Sequence, residues 1–238
     1  LRVFQTIIGS GVALIINKYF FPYKKQNNSN DEKKYLLGVD VGTTSIKAAV
    51  FDEEGNQMSS SNIDYTLNTK GDFVEFEAEK YWQLFQKAVK EAAGGRQIAA
   101  VSVDTQCETL IVTDQRGNPL CSAIVWLDNR ATNQARQIEQ QFGLQQIYEI
   151  TGQPEVTATW PACKLLWLKQ NKPEIWEKTK RIFLLEDYLL FKMTGKFITE
   201  KTIQSSSLYF DIRKGVWWDE MLDYIGISHD MLPEVKNS

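Results

Sequence analysis

The sequence predicts an α/β domain whose ligand-binding edge is marked by acids at strand tips. Three observations carry this reading. Leu36–Asp40 is a short apolar run ending in an acid, and after the turn Gly42-Thr43-Thr44-Ser45 the chain resumes as a second run, Ile46–Asp52. Ile98–Val103 is another apolar run bounded by turn signals, as in a buried parallel strand, and it too ends in an acid, Asp104. Between them, Tyr81, Trp82, Phe85, Ala88 and Val89 recur at helical spacing within Ala78–Ala93, and Gly94-Gly95 stops the pattern. Strands alternating with helices, with acids reused at strand ends, describe an open α/β sheet that binds ligand at its strand C-termini.

The first motif has the clearest chemistry. Its turn is built of small residues, so backbone N–H groups can approach an anion closely and cradle a phosphate. A carboxylate at Asp40 would repel phosphate directly, so its natural work there is to hold Mg²⁺, largely through water. Period-two alternation places Ser45, Lys47 and Ala49 on one face, with Lys47 able to reach toward the phosphates. The same spacing also fits an ordinary hairpin closed by Glu53-Glu54-Gly55-Asn56.

Taken in order, Gln57–Leu67 is expected as a third strand and Gly71–Phe76 as a loop entering the Ala78–Ala93 helix. Beyond Asp104, the polar residues Gln106, Cys107, Glu108 and Thr109 cluster past a strand end, where such sheets bind ligands. Leu110–Val112 is expected as a strand, and Ala123–Leu127 follows a Gln-Arg-Gly-Asn turn. A helix over Thr132–Phe142 ends at Gly143, Ile150–Pro154 turns, and Pro161 suits the first turn of a helix. A strand over Arg181–Leu185, a helix over Glu186–Met193 and another over Trp217–Tyr224 complete the order.

Composition excludes several classes. With 238 residues the chain can bury a sizeable core. Its 27 basic and 30 acidic residues leave no electrostatic footprint for nucleic acid. Three scattered cysteines (Cys107, Cys121, Cys163) argue for a reducing, cytoplasmic setting and against a disulfide framework or zinc site. A single histidine, His229, nearly removes histidine triads and multi-histidine metal sites. Residues 1–34 read differently: Val3–Ile16 is apolar but broken by polar residues and glycines, short of a membrane span, and Gln26–Lys34 is a polar linker. They are expected to be an extension outside the fold, and membrane association is not expected.

The motif Asp40-Val41-Gly42-Thr43-Thr44-Ser45 after a first strand resembles the phosphate loop of the actin-like ATPase superfamily. The stretch Ser102–Ala131, with Gln106-Cys107-Glu108-Thr109 and Trp126, resembles the substrate-contacting segment of FGGY-family carbohydrate kinases. Glycerol kinases of that family carry Gln-Arg-Glu-Thr and xylulokinases Gln-Met-His at the same place. Trp160–Asn171 is similar to the family's first signature, with Lys164 and Trp167 at its core. Thr159 stands where a small or aromatic residue is expected, a departure that bears on substrate identity. "LLEDYLLFKMTGKF", "SSSLYFDIRKGVWWDEMLDYIGI" and "MLPEV" extend the resemblance over 35–238.

This resemblance implies a ribonuclease H-like (actin-like ATPase) α/β domain with a mixed sheet flanked by helices. It implies ATP-dependent phosphorylation of a small sugar or polyol, with Mg²⁺. Asp40, Gly42, Thr43, Thr44, Ser45 and Lys47 would serve the ATP phosphates, Asp40 also holding the metal. Gln106, Cys107, Glu108, Trp126 and Thr159 would serve the substrate, although Cys107 also fits a packed thiol and Trp126 a core residue. Asp128 and Asp187 are assigned no role. The family's general base, an Asp in a Gly-Asp pair, follows a segment like Leu232–Val235 and is expected beyond Ser238, so no catalytic residue is assigned within the chain. The family's adenosine-binding lobe comes later still. The expectation is therefore an N-terminal kinase half, inactive alone, from an enzyme that is homo-oligomeric at full length. The alternative is a noncatalytic sugar-binding or regulatory domain of the same fold, and another superfamily enzyme, such as an acetate kinase, fits the motifs less well.

Overall fold

The computed structural model describes residues 34–236, so the expected extension lies outside the described residues apart from Lys34. Asn237 and Ser238 lie outside them too, and with Ser238 the point past which the general base is expected. β1 (Tyr35–Val41), β2 (Ser45–Phe51) and β3 (Gln57–Asp64) form an antiparallel meander. The β2–β3 turn is fixed by Asp52, whose carboxylate accepts the Asn56 backbone N–H (2.7 Å) and side-chain amide (3.0 Å). β3 ends at Asp64, three residues short of the predicted boundary.

Where a loop was expected, β4 (Asn68–Lys70) and β5 (Phe73–Phe76) form a hairpin around Gly71, which takes the left-handed conformation at φ 59°. The reason is visible in β5: Val74 and Phe76 are buried while Phe73 is exposed, a period of two in a segment too short to stand out. α1 (Ala78–Ala93) lies against β1–β3, burying Tyr81, Phe85, Ala88, Val89 and Ala92, while Trp82 sits half-buried on the flank.

β6 (Ile98–Thr105) then runs parallel to β1 and completes a mixed four-stranded sheet in the order β3-β2-β1-β6. β7 (Leu110–Thr113), β8 (Ala123–Ile124) and, later, β9 (Arg181–Leu184) join the hairpin in a five-stranded sheet, β4-β5-β8-β7-β9. One core fills the space between α1, the first sheet and the helix after β9; a second lies beyond β7 and β8 under the helices that follow.

Those helices are α2 (Thr132–Phe142), α3 (Leu144–Thr151), α4 (Pro161–Asn171) and the single turn α5 (Pro173–Trp176). α3 occupies Ile150-Thr151, where a turn was expected, because Gly143 ends one helix and directly precedes the next. Pro161 opens α4 as predicted. α6 (Leu185–Thr194) follows β9, and β10 (Ile198–Glu200), α7 (Lys201–Gln204), β11 (Phe210–Asp211) and β12 (Val216–Trp217) come next. α8 spans Asp219–Ile225 and β13 (Glu234–Lys236) pairs in parallel with β10. Trp217 is thus on a strand, pairing with Phe210, and Trp218 precedes α8; neither is the helical residue the sequence suggested. Among the described residues, no helix is long and apolar enough to cross a membrane.

Candidate functional site

The parallel pairing of β1 and β6 decides the site. It sets Asp40 opposite Asp104 and Val41 opposite Thr105, so both strands end together and their loops emerge side by side. On the other flank β2 places Lys47 opposite Asp40. All three charged side chains are exposed. The Asp40 carboxyl is raised above its ordinary value, first by burial of its surroundings and also by Asp104, with Lys47 pulling the other way. Two acids side by side at one sheet edge favour a cation between or before them.

The turn after β1 is held by several separate contacts. Gly42 donates its N–H to the Ser45 carbonyl (3.0 Å), so this glycine shapes the turn and spends its own donor within it. A Cβ there would meet that carbonyl at 3.4 Å and Asp40 Oδ1 at 3.8 Å. Tyr65 donates its hydroxyl to the Gly42 carbonyl and its N–H to the Thr44 carbonyl (2.9 Å). Thr43 accepts the indole N–H of Trp126 on Oγ1 at 3.0 Å. The backbone N–H groups of Thr43 and Thr44 have no acceptor among the described contacts, which leaves them open to solvent or to an anion. Ser45 pairs with Asp64 at the start of β2.

The turn after β6 forms the opposite lip. Gln106 donates its N–H to the Val41 carbonyl (2.9 Å), and its side-chain amide donates to the Tyr81 hydroxyl at 2.8 Å. Its Oε1 is buried with no partner among the described residues. Cys107 is exposed, and desolvation and then Glu108, Asp104, Glu186 and Glu200 push its thiol up to about 11, which disfavours the thiolate. Glu108 has φ 61°, the left-handed region that a residue with a Cβ rarely adopts. Burial raises its carboxyl, opposed by the Lys164 ammonium and a hydrogen bond with Ser206. Trp126 is half-buried against the first core while its N–H reaches Thr43, so its packing and polar roles coexist.

The structure therefore gathers Asp40, Gly42, Thr43, Thr44, Lys47, Gln106, Cys107, Glu108 and Trp126 around one edge. Thr159 lies in the turn before α4, its hydroxyl bonded to that of Thr157 at 2.6 Å. Among the described residues no three acidic, histidine or cysteine side chains form a metal-binding group. A Mg²⁺ at Asp40 and Asp104 would accordingly draw most of its oxygen ligands from water and phosphate, which suits that ion's preference.

Residues 35–238 match the FGGY family of carbohydrate kinases, N-terminal domain. The chain belongs to this family. A xylulose kinase of Lactococcus lactis is 33% identical over 211 residues, covering 86% of this chain and 42% of that protein. A glycerol kinase of Thermococcus gammatolerans is 34% identical over 217 residues, covering 87% of this chain and 43% of that protein. Among solved structures, gluconate kinase from Lactobacillus acidophilus superposes with a TM-score of 0.81 at 29% identity, over 86% of this chain and 42% of the other. Ligand-bound xylulose kinase from the same organism gives 0.80 at 30% identity, over 85% and 42%. This FGGY chain thus spans less than half the length of the relatives it matches, and its fold is the actin-like ATPase fold expected from the sequence.

Three FGGY site neighbours escape sequence reasoning. Tyr65 lies just past β3 with no pattern to single it out. Lys164 is fully buried in α4, inside the buried run Ala162–Leu166; the sequence marks it as a signature residue without showing that it reaches the lip. Glu186 stands in the first turn of α6 beside the lip, because β9 pairs Leu184 with Leu110. Burial, then Asp187, Glu200 and Asp104, push its carboxyl up to about 8.

Proposed function

We propose that this chain is the sugar- and phosphate-binding half of an ATP-dependent carbohydrate kinase acting on a small sugar or polyol. The observation that carries the reading is the juxtaposition of Asp40 and Asp104 at the tips of β1 and β6, with the 42–45 and 106–108 turns beside each other. ATP with Mg²⁺ would supply the γ-phosphoryl group. Transfer of this kind is mostly positioning and charge neutralisation, and the phosphate, metal and substrate parts map onto residues here. Thr43 and Thr44 offer backbone donors to phosphate, and Asp40 and Lys47 set the local charge. Glu108 accepts hydrogen bonds from substrate hydroxyls, and Gln106 adds a second polar contact. Cys107 and Trp126 line the same lip.

None of the described acids is assigned as general base; family resemblance puts that residue after Leu232–Val235 and past Ser238. The test is purified chain, residues 31–238, assayed with ATP and Mg²⁺ against D-xylulose, glycerol and gluconate, with sugar binding followed by NMR. The expected result is binding without phosphorylation above background. Turnover by this chain alone would place the base among its own acids. Absence of binding to every sugar would favour a domain with another ligand.

A further inference from the structure

β7 and β8 share a single register pair, Leu110 with Ile124, so their ladder stops where the two stretches of the substrate lip begin. Beyond it, no strand pairing holds Glu108 near Trp126. The gap is bridged from a third element. Lys164 in the first turns of α4 donates its ammonium to the Glu108 carbonyl (3.1 Å) and the Val125 carbonyl (3.0 Å). We infer that Lys164 is a positioning residue of the substrate lip, its ammonium replacing the missing ladder and setting the spacing between Glu108 and Trp126. This rests on the reading of Gln106–Glu108 and Trp126 as that lip.

Packing alone gives no reason for the choice of residue. Lys164 is 0% exposed, and its described partners are backbone carbonyls rather than a carboxylate. Desolvation pulls its ammonium down to about 7, against the fields of Asp128 and Glu108. Replacing a whole buried ion pair with apolar side chains is often neutral or stabilising, whereas removing one partner alone is costly. What an apolar side chain does not do is hold a carbonyl of the 106–108 turn and the carbonyl just past β8 at one point. One of them belongs to Glu108, whose left-handed backbone needs outside contacts to persist. The other belongs to the residue before Trp126. Lys164 lies behind the lip and acts through these two residues.

The experiment uses the whole 238-residue chain, isotope-labelled and titrated by NMR with D-xylulose and with glycerol as probes. In the wild type, the Trp126 indole cross-peak shifts on saturation with one of them. In Lys164→Met, that affinity falls by about tenfold or more, because the lip is no longer preorganised. The melting midpoint falls as well, because the Glu108 and Val125 carbonyls lose their donor. A variant that loses stability but binds sugar as the wild type does shows a purely structural lysine and overturns the inference. Equal affinity at equal stability overturns it as well. If Lys164→Met does not fold, the wild-type Lys164 ammonium resonance decides, because a clamp of the lip must respond at the same sugar concentration as Trp126. A resonance indifferent to saturating sugar overturns the inference. A wild type that binds neither probe overturns the lip reading itself and this inference with it, a result distinct from failure of the clamp alone.

Discussion

Asp40 and Asp104 are register partners on two parallel strands, so two carboxylates share one sheet edge. Asp40→Asn removes the charge that burial and Asp104 both disfavour. Melting temperature should stay level or rise, and sugar binding should persist. In a full-length enzyme carrying this domain, phosphoryl transfer should be lost. Near-normal turnover would remove Asp40 from the mechanism.

Glu108→Ala tests the other lip. Sugar hydroxyls would lose charge-assisted acceptors costing about 1.5–3 kcal/mol, roughly tenfold to a hundredfold in affinity. Nucleotide affinity of the full-length enzyme should barely change. Measuring both constants settles it, since equal losses would indicate general misfolding.

Asp128 gives the largest expected effect on stability. It is fully buried, accepts the Val74 N–H at 2.6 Å and pairs with Arg130 at 2.7 Å. The guanidinium also pairs with Glu75 at 2.6 Å and stacks 4.1 Å from the Phe73 ring centroid. Asp128→Ala leaves a buried donor and a buried cation underpaired, at a cost of about 3–5 kcal/mol. Urea denaturation reads this directly. A loss below about 1 kcal/mol, the scale of an exposed pair, would show that the network is not held together by Asp128.

Glu186 predicts a pH dependence. Its carboxyl is raised from 4.5 to about 8 in the fold, so the native state holds a proton that the unfolded chain releases. Stability contributed by this group is full below the unfolded value and is lost as pH rises through the folded one. Glu186→Gln should match the wild type near pH 4 and become the more stable protein by pH 8. Melting curves across that range check the sign, and parallel curves would contradict it.

The strand tips were legible because each combined an apolar run with a terminal acid, and the parallel pairing then brought Asp40 and Asp104 together. The β4–β5 hairpin was not legible, since only Val74 and Phe76 alternate and neighbouring polar residues mask them. Helix α3 was hidden by the glycines at 143 and 152, which punctuate a helix as readily as a loop. Thr159 was placed in the site by resemblance, and its hydroxyl is found bonded to Thr157. Lys164 read as one signature residue among others, because no local pattern announces that its partners lie in the 106–108 turn and just past β8.

The indole of Trp126, in the stretch proposed to meet sugar, and the hydroxyl of Thr43, in the turn proposed to meet phosphate, share one hydrogen bond. On the proposed reading, that bond makes the two ligands thermodynamically linked: whatever nucleotide does to sugar affinity, sugar does to nucleotide affinity by the same factor. The bond also caps the effect transmitted along this route. A neutral hydrogen bond contributes about 0.5–1.5 kcal/mol, so synergy carried by it amounts to roughly two- to tenfold. Stronger synergy in the whole enzyme would have to come from closure of its two lobes.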